Sequence, residues 1–272
     1  MKVAVIQVAP AQGQTAQNRE ELLARIRSVA GLGAEIIACP ECAVSGYAIS
    51  SESEARERAE PVPGPSTRAI EEICSSTGCH VVCGLLEIDQ ERLYNTAVLI
   101  GPEGVVGRHR KAHIVRVAAD AFVALGNEVA VFEARGIKVG MSICYEVRFP
   151  ELARTQALLG ARLLVVAANW PAGADVNPSL MAPARAAENN LYVLAANRTG
   201  VEGSLSFLGR SAIFGPDGKP LVSAGIEECT LMADIELTMG LGPVGVAASG
   251  YDVDLKGHRR PELYAPITLS KT

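Results

Sequence analysis

Aromatic residues are scarce in this 272-residue chain, at 4% with a single tryptophan. A core built on large rings is excluded, and Ala and Val must supply the apolar mass, which suits strands buried on both faces. A basic excess is also missing: 25 Lys and Arg stand against 30 Asp and Glu, a net charge of −5. Tracking a phosphate backbone needs the opposite balance, so no nucleic-acid partner is expected. No apolar run reaches membrane-spanning length, so no membrane association is expected. The opening Lys2-Val-Ala-Val-Ile6 is too short for a secretory h-region, and no cleavage pattern follows it. The seven cysteines are odd in number and unevenly spaced. They read as reduced thiols in a cytoplasmic protein rather than as a disulfide framework.

What is present is an ordinary globular composition, 49% hydrophobic and 20% charged. Val3–Val8 and Glu35–Cys39 are short apolar runs, each stopped by a proline, and read as buried strands. Between them Arg19–Ala30 has helical spacing, with Asn18 as its expected cap and Gly31 and Gly33 as its end. Strand–helix–strand favours a parallel sheet. Ser51–Pro65 reads as a loop with one helical turn, Ser66–Thr77 as a helix, and His80–Ile88, Leu93–Ile100 and Val105–Arg110 as strands. A second series follows: strands at Val129–Glu133, Lys138–Ile143, Leu163–Ala168 and Leu191–Ala196, helices at Pro150–Gly160 and Pro178–Asn190, and short strands at Ser211–Phe214, Leu221–Val222 and Thr230–Ile235. Asn95-Thr-Ala-Val-Leu-Ile-Gly-Pro-Glu-Gly104 resembles Arg210-Ser-Ala-Ile-Phe-Gly-Pro-Asp-Gly218. Each closes one half, which predicts an internal pseudo-repeat of two sheets with helices on one face of each. No linker divides the chain. We therefore expect one domain over 1–272, its last part, 239–272, an extended tail over the surface or a partner subunit.

Cys144 stands where a strand bends into a helix, at the sheet edge where open α/β folds bind ligands. Charge and backbone N–H groups can activate a thiol there, although cysteine is also commonly a buried structural residue. Glu41, just past an apolar strand and Pro40, lands at the same kind of edge and is a candidate general base; on spacing alone it reads more readily as a solvated loop acid. Lys111, in Gly107-Arg-His-Arg-Lys-Ala-His113, could stabilise an oxyanion, whereas basic runs are usually solvated faces. Cys39/Cys42 and Cys79/Cys83 make close pairs for which zinc or thiol–disulfide chemistry is conceivable. Cys39 and Cys83 sit in apolar strands, however, so no metal is expected. The four histidines are scattered and lend no support to a Cys–His pair. Arg185 and Glu188 are helical i,i+3 partners, and Arg148 and Glu151 either orient the elbow or decorate a helix surface.

Taken together, the segments resemble the nitrilase, or carbon–nitrogen hydrolase, superfamily. They are Val3-Ala-Val-Ile-Gln-Val8, Pro40-Glu-Cys-Ala-Val-Ser-Gly-Tyr47, Arg110-Lys-Ala-His113, Gly140-Met-Ser-Ile-Cys-Tyr-Glu-Val-Arg-Phe-Pro-Glu151 and Ala184-Arg-Ala-Ala-Glu-Asn189, with Tyr251 and His258-Arg-Arg-Pro-Glu-Leu-Tyr264 as a matching tail. The resemblance implies a four-layer α-β-β-α sandwich with two mixed sheets, a homodimer or higher homo-oligomer, and no cofactor. It implies a Glu41–Lys111–Cys144 triad acting through a thioester, with the Tyr145 backbone N–H sharing the oxyanion. Many members carry a second glutamate about eight residues after the lysine. Here position 119 is Ala, and Asp120 fills that role only if the loop shifts by one residue; otherwise it is an exposed loop acid. Cys144-Tyr145-Glu146 resembles the amidase branch, which implies a small-molecule amide as substrate. Nitrile or N-carbamoyl hydrolysis and a non-catalytic scaffold are the alternatives. Tyr47, Asn169 and Trp170 are expected to form the pocket rim, Trp170 having core packing as its alternative.

Overall fold

The computed structural model describes residues 1–236, 244–246 and 251–269. Within the tail expected over 239–272, positions 239–243, 247–250 and 270–272 lie outside the described residues. The first half comprises β1 (Lys2–Gln7), α1 (Thr15–Gly31), β2 (Ile36–Ala38), α2 (Glu52–Arg58), α3 (Pro65–Thr77), β3 (His80–Asp89), β4 (Arg92–Gly101) and β5 (Gly104–Arg110). The second comprises β6 (Val131–Ala134), β7 (Ile137–Ile143), α4 (Pro150–Leu158), β8 (Ala161–Ala168), α5 (Ala182–Asn189) and β9 (Tyr192–Asn197). A small hairpin of β10 (Val201–Glu202) and β11 (Leu205–Ser206) leads to β12 (Ala212–Phe214), β13 (Pro220–Ser223) and β14 (Cys229–Asp234). In the tail, β15 (Val244–Val246) pairs antiparallel with β16 (Tyr251–Val253).

Two six-stranded sheets form, ordered β14-β1-β2-β3-β4-β5 and β6-β7-β8-β9-β12-β13. Their patterns match. In each, three parallel strands (β1, β2 and β3; β7, β8 and β9) are flanked by one antiparallel strand on one side and an antiparallel pair on the other. The two Gly-Pro-acid-Gly turns join equivalent pairs, β4–β5 and β12–β13. The internal repeat expected from those turns is present.

Period-two alternation assigns the layers. Val3, Val5, Ile36, Ala38, Val82, Ala97 and Leu99 point into a core shared with β7, β8 and β9. Their neighbours Ala4, Ile6, Ile37, Val81, Cys83, Val98 and Ile100 pack on Leu22, Ile26 and Val29 of α1 and Ile70 and Ile73 of α3. Helices α4 and α5 cover the outer face of the second sheet through Ala153, Ala157, Ala182 and Ala186. The result is the four-layer α-β-β-α sandwich, and small side chains throughout it account for the lack of aromatics.

Two expectations are corrected. Asn18 does not cap α1, which begins three residues earlier. It is buried inside the helix, where Nδ2 donates to the carbonyls of Ala11 (2.8 Å) and Val44 (3.0 Å) and Oδ1 accepts from Ala11 N–H (2.8 Å), tying two loops together. The polar stretch after Ser51 forms a helix of seven residues rather than one turn. The Ser51 hydroxyl caps it, and the i,i+4 pairs Glu52–Arg56, exposed, and Glu54–Arg58, part-buried, brace it.

Candidate active site

Strand direction gathers the candidate residues at one edge. Glu41 follows β2. Lys111 follows β5, which runs parallel to β3 because two antiparallel pairings separate them. Cys144 follows β7, and Asn169 and Trp170 follow β8. Glu41 reaches its place because Gly84 has no side chain. A Cβ there would lie 2.5 Å from Glu41 Cα and 2.5 Å from the Pro40 carbonyl. Gly84→Ala is therefore expected to cost about 2 kcal/mol or more of stability and to displace Glu41. Urea unfolding together with activity tests this, and an unchanged midpoint would contradict the packing.

Lys111 Nζ donates to Glu41 Oε1 at 2.7 Å and to Asp120 Oδ2 at 2.6 Å, all three side chains being buried. Asn95 Nδ2 donates to Glu41 Oε1 (2.6 Å) and Asp120 Oδ1 (2.7 Å). Asp120 is thus no exposed loop acid. Arg116 and Ala118, both at positive φ, lie in the loop that brings Asp120 to the cluster, and Ala119 beside it is buried as well, packed with Tyr47 and Leu86. Ala119 N–H, meanwhile, bonds the Tyr47 carbonyl.

Cys144 itself has φ +50°, a left-handed conformation that a side chain adopts only under constraint. The constraints are visible. The Trp170 indole N–H donates to the Cys144 carbonyl at 3.1 Å. Arg185 Nε holds the Val147 carbonyl at 2.8 Å, besides pairing with Glu188 as expected. Glu146 is the hub. It accepts from Ile143 N–H (2.8 Å), Ala112 N–H (2.7 Å) and His109 Nε2 (2.8 Å), so it straps the elbow to the segment that carries Lys111. Burial alone would raise the Glu146 carboxyl, but His109 and these donors hold it down to about 2. Such a lowered acid stabilises the fold above its ordinary value of 4.5, and the contribution fades as pH falls toward 2. Glu146→Gln should lose about 2–3 kcal/mol at pH 7, with the gap to wild type narrowing at pH 3. Unfolding measured at both pH values decides it, and a pH-independent gap would count against the strap.

The electrostatics favour a thiol made nucleophilic on demand. Burial, then the nearby Glu41 charge, push the Cys144 thiol well above its ordinary range, against the pull of Lys111 and a hydrogen bond from Asn169 N–H. Burial also raises Glu41, and Asp120 adds to this; Lys111 and Asn95 oppose it without cancelling it. Burial would lower Lys111, but Glu41, Cys144 and Asp120 outweigh it and hold the ammonium charged. A carboxylate of raised proton affinity therefore lies beside a neutral thiol and a fixed cation.

Tyr47, Asn169 and Trp170 do not form an open rim. They are 6%, 2% and 0% exposed, against 8% for Cys144, so the site is closed over the thiol. Trp170 is a strut behind the elbow, its core alternative. Both polar atoms of the Asn169 side chain lack a hydrogen-bond partner. Tyr47 N–H donates to Glu202 Oε2 (2.9 Å), and Glu202 pairs with buried Arg198. Gly46, at φ +72°, leaves the room Glu202 needs. Arg148 binds Asn177 Oδ1 at 2.9 Å, and Glu151 is exposed. Cys39 packs with Cys83 and Cys74 with Cys79, while Cys42 lies in a separate cluster with Tyr47. No grouping among the described residues is suited to a metal ion. A cavity of about 740 Å³ lies elsewhere, between α4 and the tail, lined by Arg154, Leu158, Arg259, Tyr264 and Ile267. It contains none of the cluster described above.

Asn95, Arg198 and Glu202 carry no functional reading in the sequence, and Glu146 carries only a hint of substrate branch. A weak signal existed, since each is a polar residue inside or beside an otherwise apolar strand or elbow.

The chain matches the family model described as carbon-nitrogen hydrolase over residues 2–240. It is 34% identical to a nitrilase of Pyrococcus abyssi over 239 residues, 87% of this chain and 90% of that one. It is 33% identical to an omega-amidase of Xenopus tropicalis, covering 88% of each chain. Among solved structures it superposes on an amidase from Nesterenkonia sp. AN1 with a TM-score of 0.81 and 25% identity, covering 98% and 99% of the two chains. No helix among the described residues is long and apolar enough to cross a membrane. On its family match and these relatives, the chain belongs to the carbon-nitrogen hydrolase family.

Proposed function

We propose that this carbon–nitrogen hydrolase is a cysteine-dependent amidase, converting a small carboxamide to a carboxylic acid and ammonia through a thioester on Cys144. The observation that carries the reading is the buried Glu41–Lys111–Asp120 cluster beside a thiol held at positive φ. In this mechanism Glu41 takes the Cys144 proton and the thiolate attacks the carbonyl carbon. Two of the three Lys111 N–H groups are engaged by Glu41 and Asp120. The third, with the Tyr145 backbone N–H, serves the oxyanion. The nitrogen leaves with the proton returned from Glu41, and water activated by the same carboxylate hydrolyses the thioester. Asp120 anchors Lys111, in the role of the second acid. The near-closed site favours a short acyl group, and the unpartnered Asn169 amide offers that substrate a donor and an acceptor.

A second reading, nitrile hydrolysis by the same residues, is favoured by the relative named a nitrilase; N-carbamoyl amines are a further variant. Incubation with panels of carboxamides, nitriles and N-carbamoyl compounds, measuring ammonia and carbon dioxide, separates them. Ammonia from carboxamides alone supports the proposal, whereas turnover of nitriles without amides overturns it. A scaffold without turnover would show neither product and an unreactive Cys144; the missing acid at position 119 would favour it, and the placement of Asp120 beside Lys111 supports the enzyme instead.

The same reading carries one domain over 1–272 and a homodimer or larger homo-oligomer in the cytoplasm. Exposed Leu158 and Leu159 at the end of α4, and Leu263 and Ile267 in the tail, support the assembly. All seven cysteines being free thiols supports the location. Light scattering in solution tests the assembly.

A further inference from the structure

We propose that Asn95 is a positioning residue that divides the two oxygens of Glu41 between tasks, Oε1 being fixed by donors and Oε2 carrying the proton. The inference rests on the thiol-hydrolase reading and extends it to an atom. Glu41 Oε1 accepts two hydrogen bonds, from Lys111 Nζ at 2.7 Å and from Asn95 Nδ2 at 2.6 Å. Oε2 is buried and has no partner. A proton arriving on Oε1 must displace one of two short, charge-assisted bonds. A proton arriving on Oε2 displaces nothing.

Asn95 suits this task better than other side chains. Its amide has two hydrogens, and the second goes to Asp120 Oδ1 at 2.7 Å, so both are used and the amide orientation follows from its acceptors. It bridges two carboxylates without adding charge. A carboxylate in its place would add a third acid around one lysine. Its backbone carbonyl also accepts from Lys111 N–H at 2.8 Å, so one residue of β4 aligns Glu41, Asp120 and the lysine backbone. The proton accounting closes. The Cys144 S–H bond breaks as Glu41 Oε2–H forms, leaving a thiolate and a neutral carboxyl. The same proton then passes to the leaving nitrogen, and Glu41 is again a carboxylate.

The groups that bear on Glu41 are Lys111, Asp120, Cys144, Cys42, Tyr47 and Arg198, the last neutralised by Glu202. Against the burial that raises Glu41, the Asn95 hydrogen bond pulls it down. Loss of that bond should move the acid limb of reactivity to higher pH, because Glu41 must be ionised to accept the thiol proton.

The test uses the intact protein and two variants, Asn95→Ala and Asn95→Asp, with two readouts. One is the rate of Cys144 alkylation by iodoacetamide across pH. The other is kcat and KM for a carboxamide across the same range. Both variants should shift the acid limb upward, by about one pH unit for Asn95→Ala and more for Asn95→Asp, with KM within about twofold of wild type. A limb that stays at the wild-type pH while the rate falls overturns the proposal and leaves Asn95 a packing residue. If Asn95→Ala does not fold, Asn95→Ser, which is uncharged and lacks the bridging amide, decides by the same criterion. If the wild-type protein releases no ammonia from carboxamides, the amidase reading fails and the alkylation limb still decides the role of Asn95.

Discussion

Cys144→Ala will remove turnover and leave a folded protein; Cys144→Gly will do the same and be at least as stable as the alanine variant. The first half follows from the role of the thiol. Without a nucleophile there is no acyl intermediate, and losses on the order of 10⁵ or more are usual when a covalent nucleophile is deleted. The second half follows from the backbone. Position 144 has φ +50°, which costs a residue with a Cβ about 1 kcal/mol or more and costs glycine nothing. Elsewhere glycine is worse than alanine by roughly 0.5–1 kcal/mol, because the unfolded chain gains freedom. Here the two effects oppose, so the usual deficit should vanish or reverse. Ammonia release and urea unfolding of both variants are the measurements. Residual turnover in Cys144→Ala would mean that another group attacks. A glycine variant clearly weaker than the alanine one would mean that the elbow is not held in the left-handed region.

That strain bears on what could be foreseen. The strands were legible because β1, β2, β8 and β9 are buried on both faces and read as short apolar runs, and β7 keeps Ile137, Val139, Met141 and Ile143 in alternation. Glu41 and Cys144 follow such runs closely, but Lys111 follows the basic end of β5, and the three were legible together only through the motifs that surround them. Asn95 stands out in the sequence only as the start of a turn repeat. Its side chain meets Glu41 from 54 residues away, and a lone polar residue in an apolar strand is only a weak sign of burial, since one on a solvated face looks much the same. Glu146 reads in the sequence as a hint of substrate branch, although its larger structural role is to satisfy three donors behind the elbow. Asn18 shows the same ambiguity within a helix, where a cap and a buried tether are the same residue type. Asp120 reaches the cluster through a loop in which Arg116 and Ala118 adopt positive φ, which non-glycine residues do not advertise. Charged α2 buries only Ala55, so it lacked the apolar period by which helices are recognised.

Lys111→Met should produce the second large effect, reducing kcat/KM by about a thousandfold or more, since one change removes an oxyanion donor and disables the base. Lys111 is the partner of two buried acids. Without it, Glu41 and Asp120 face each other across the Asn95 amide in a closed site, and both cannot remain ionised. At least one takes up a proton, so the base is occupied before the reaction begins. Stability should suffer as well, by about 3–5 kcal/mol at neutral pH, the range found when one partner of a buried ion pair is removed. The direction with pH follows from linkage. Glu41 already has a raised folded value, and loss of the cation raises it further. A group raised in the folded state supports folding below its unfolded value and loses that support as pH climbs through the folded one. The variant should therefore approach wild-type stability near pH 5 and fall away from it toward pH 8. Adding Asp120→Asn to Lys111→Met deletes one of the stranded charges and should recover part of the stability at pH 8 without recovering turnover. Unfolding curves for wild type and both variants at the two pH values give the answer. A stability loss equal at both, unrelieved by Asp120→Asn, would trace the damage to lost packing around the lysine stem and would argue against charge imbalance as its cause.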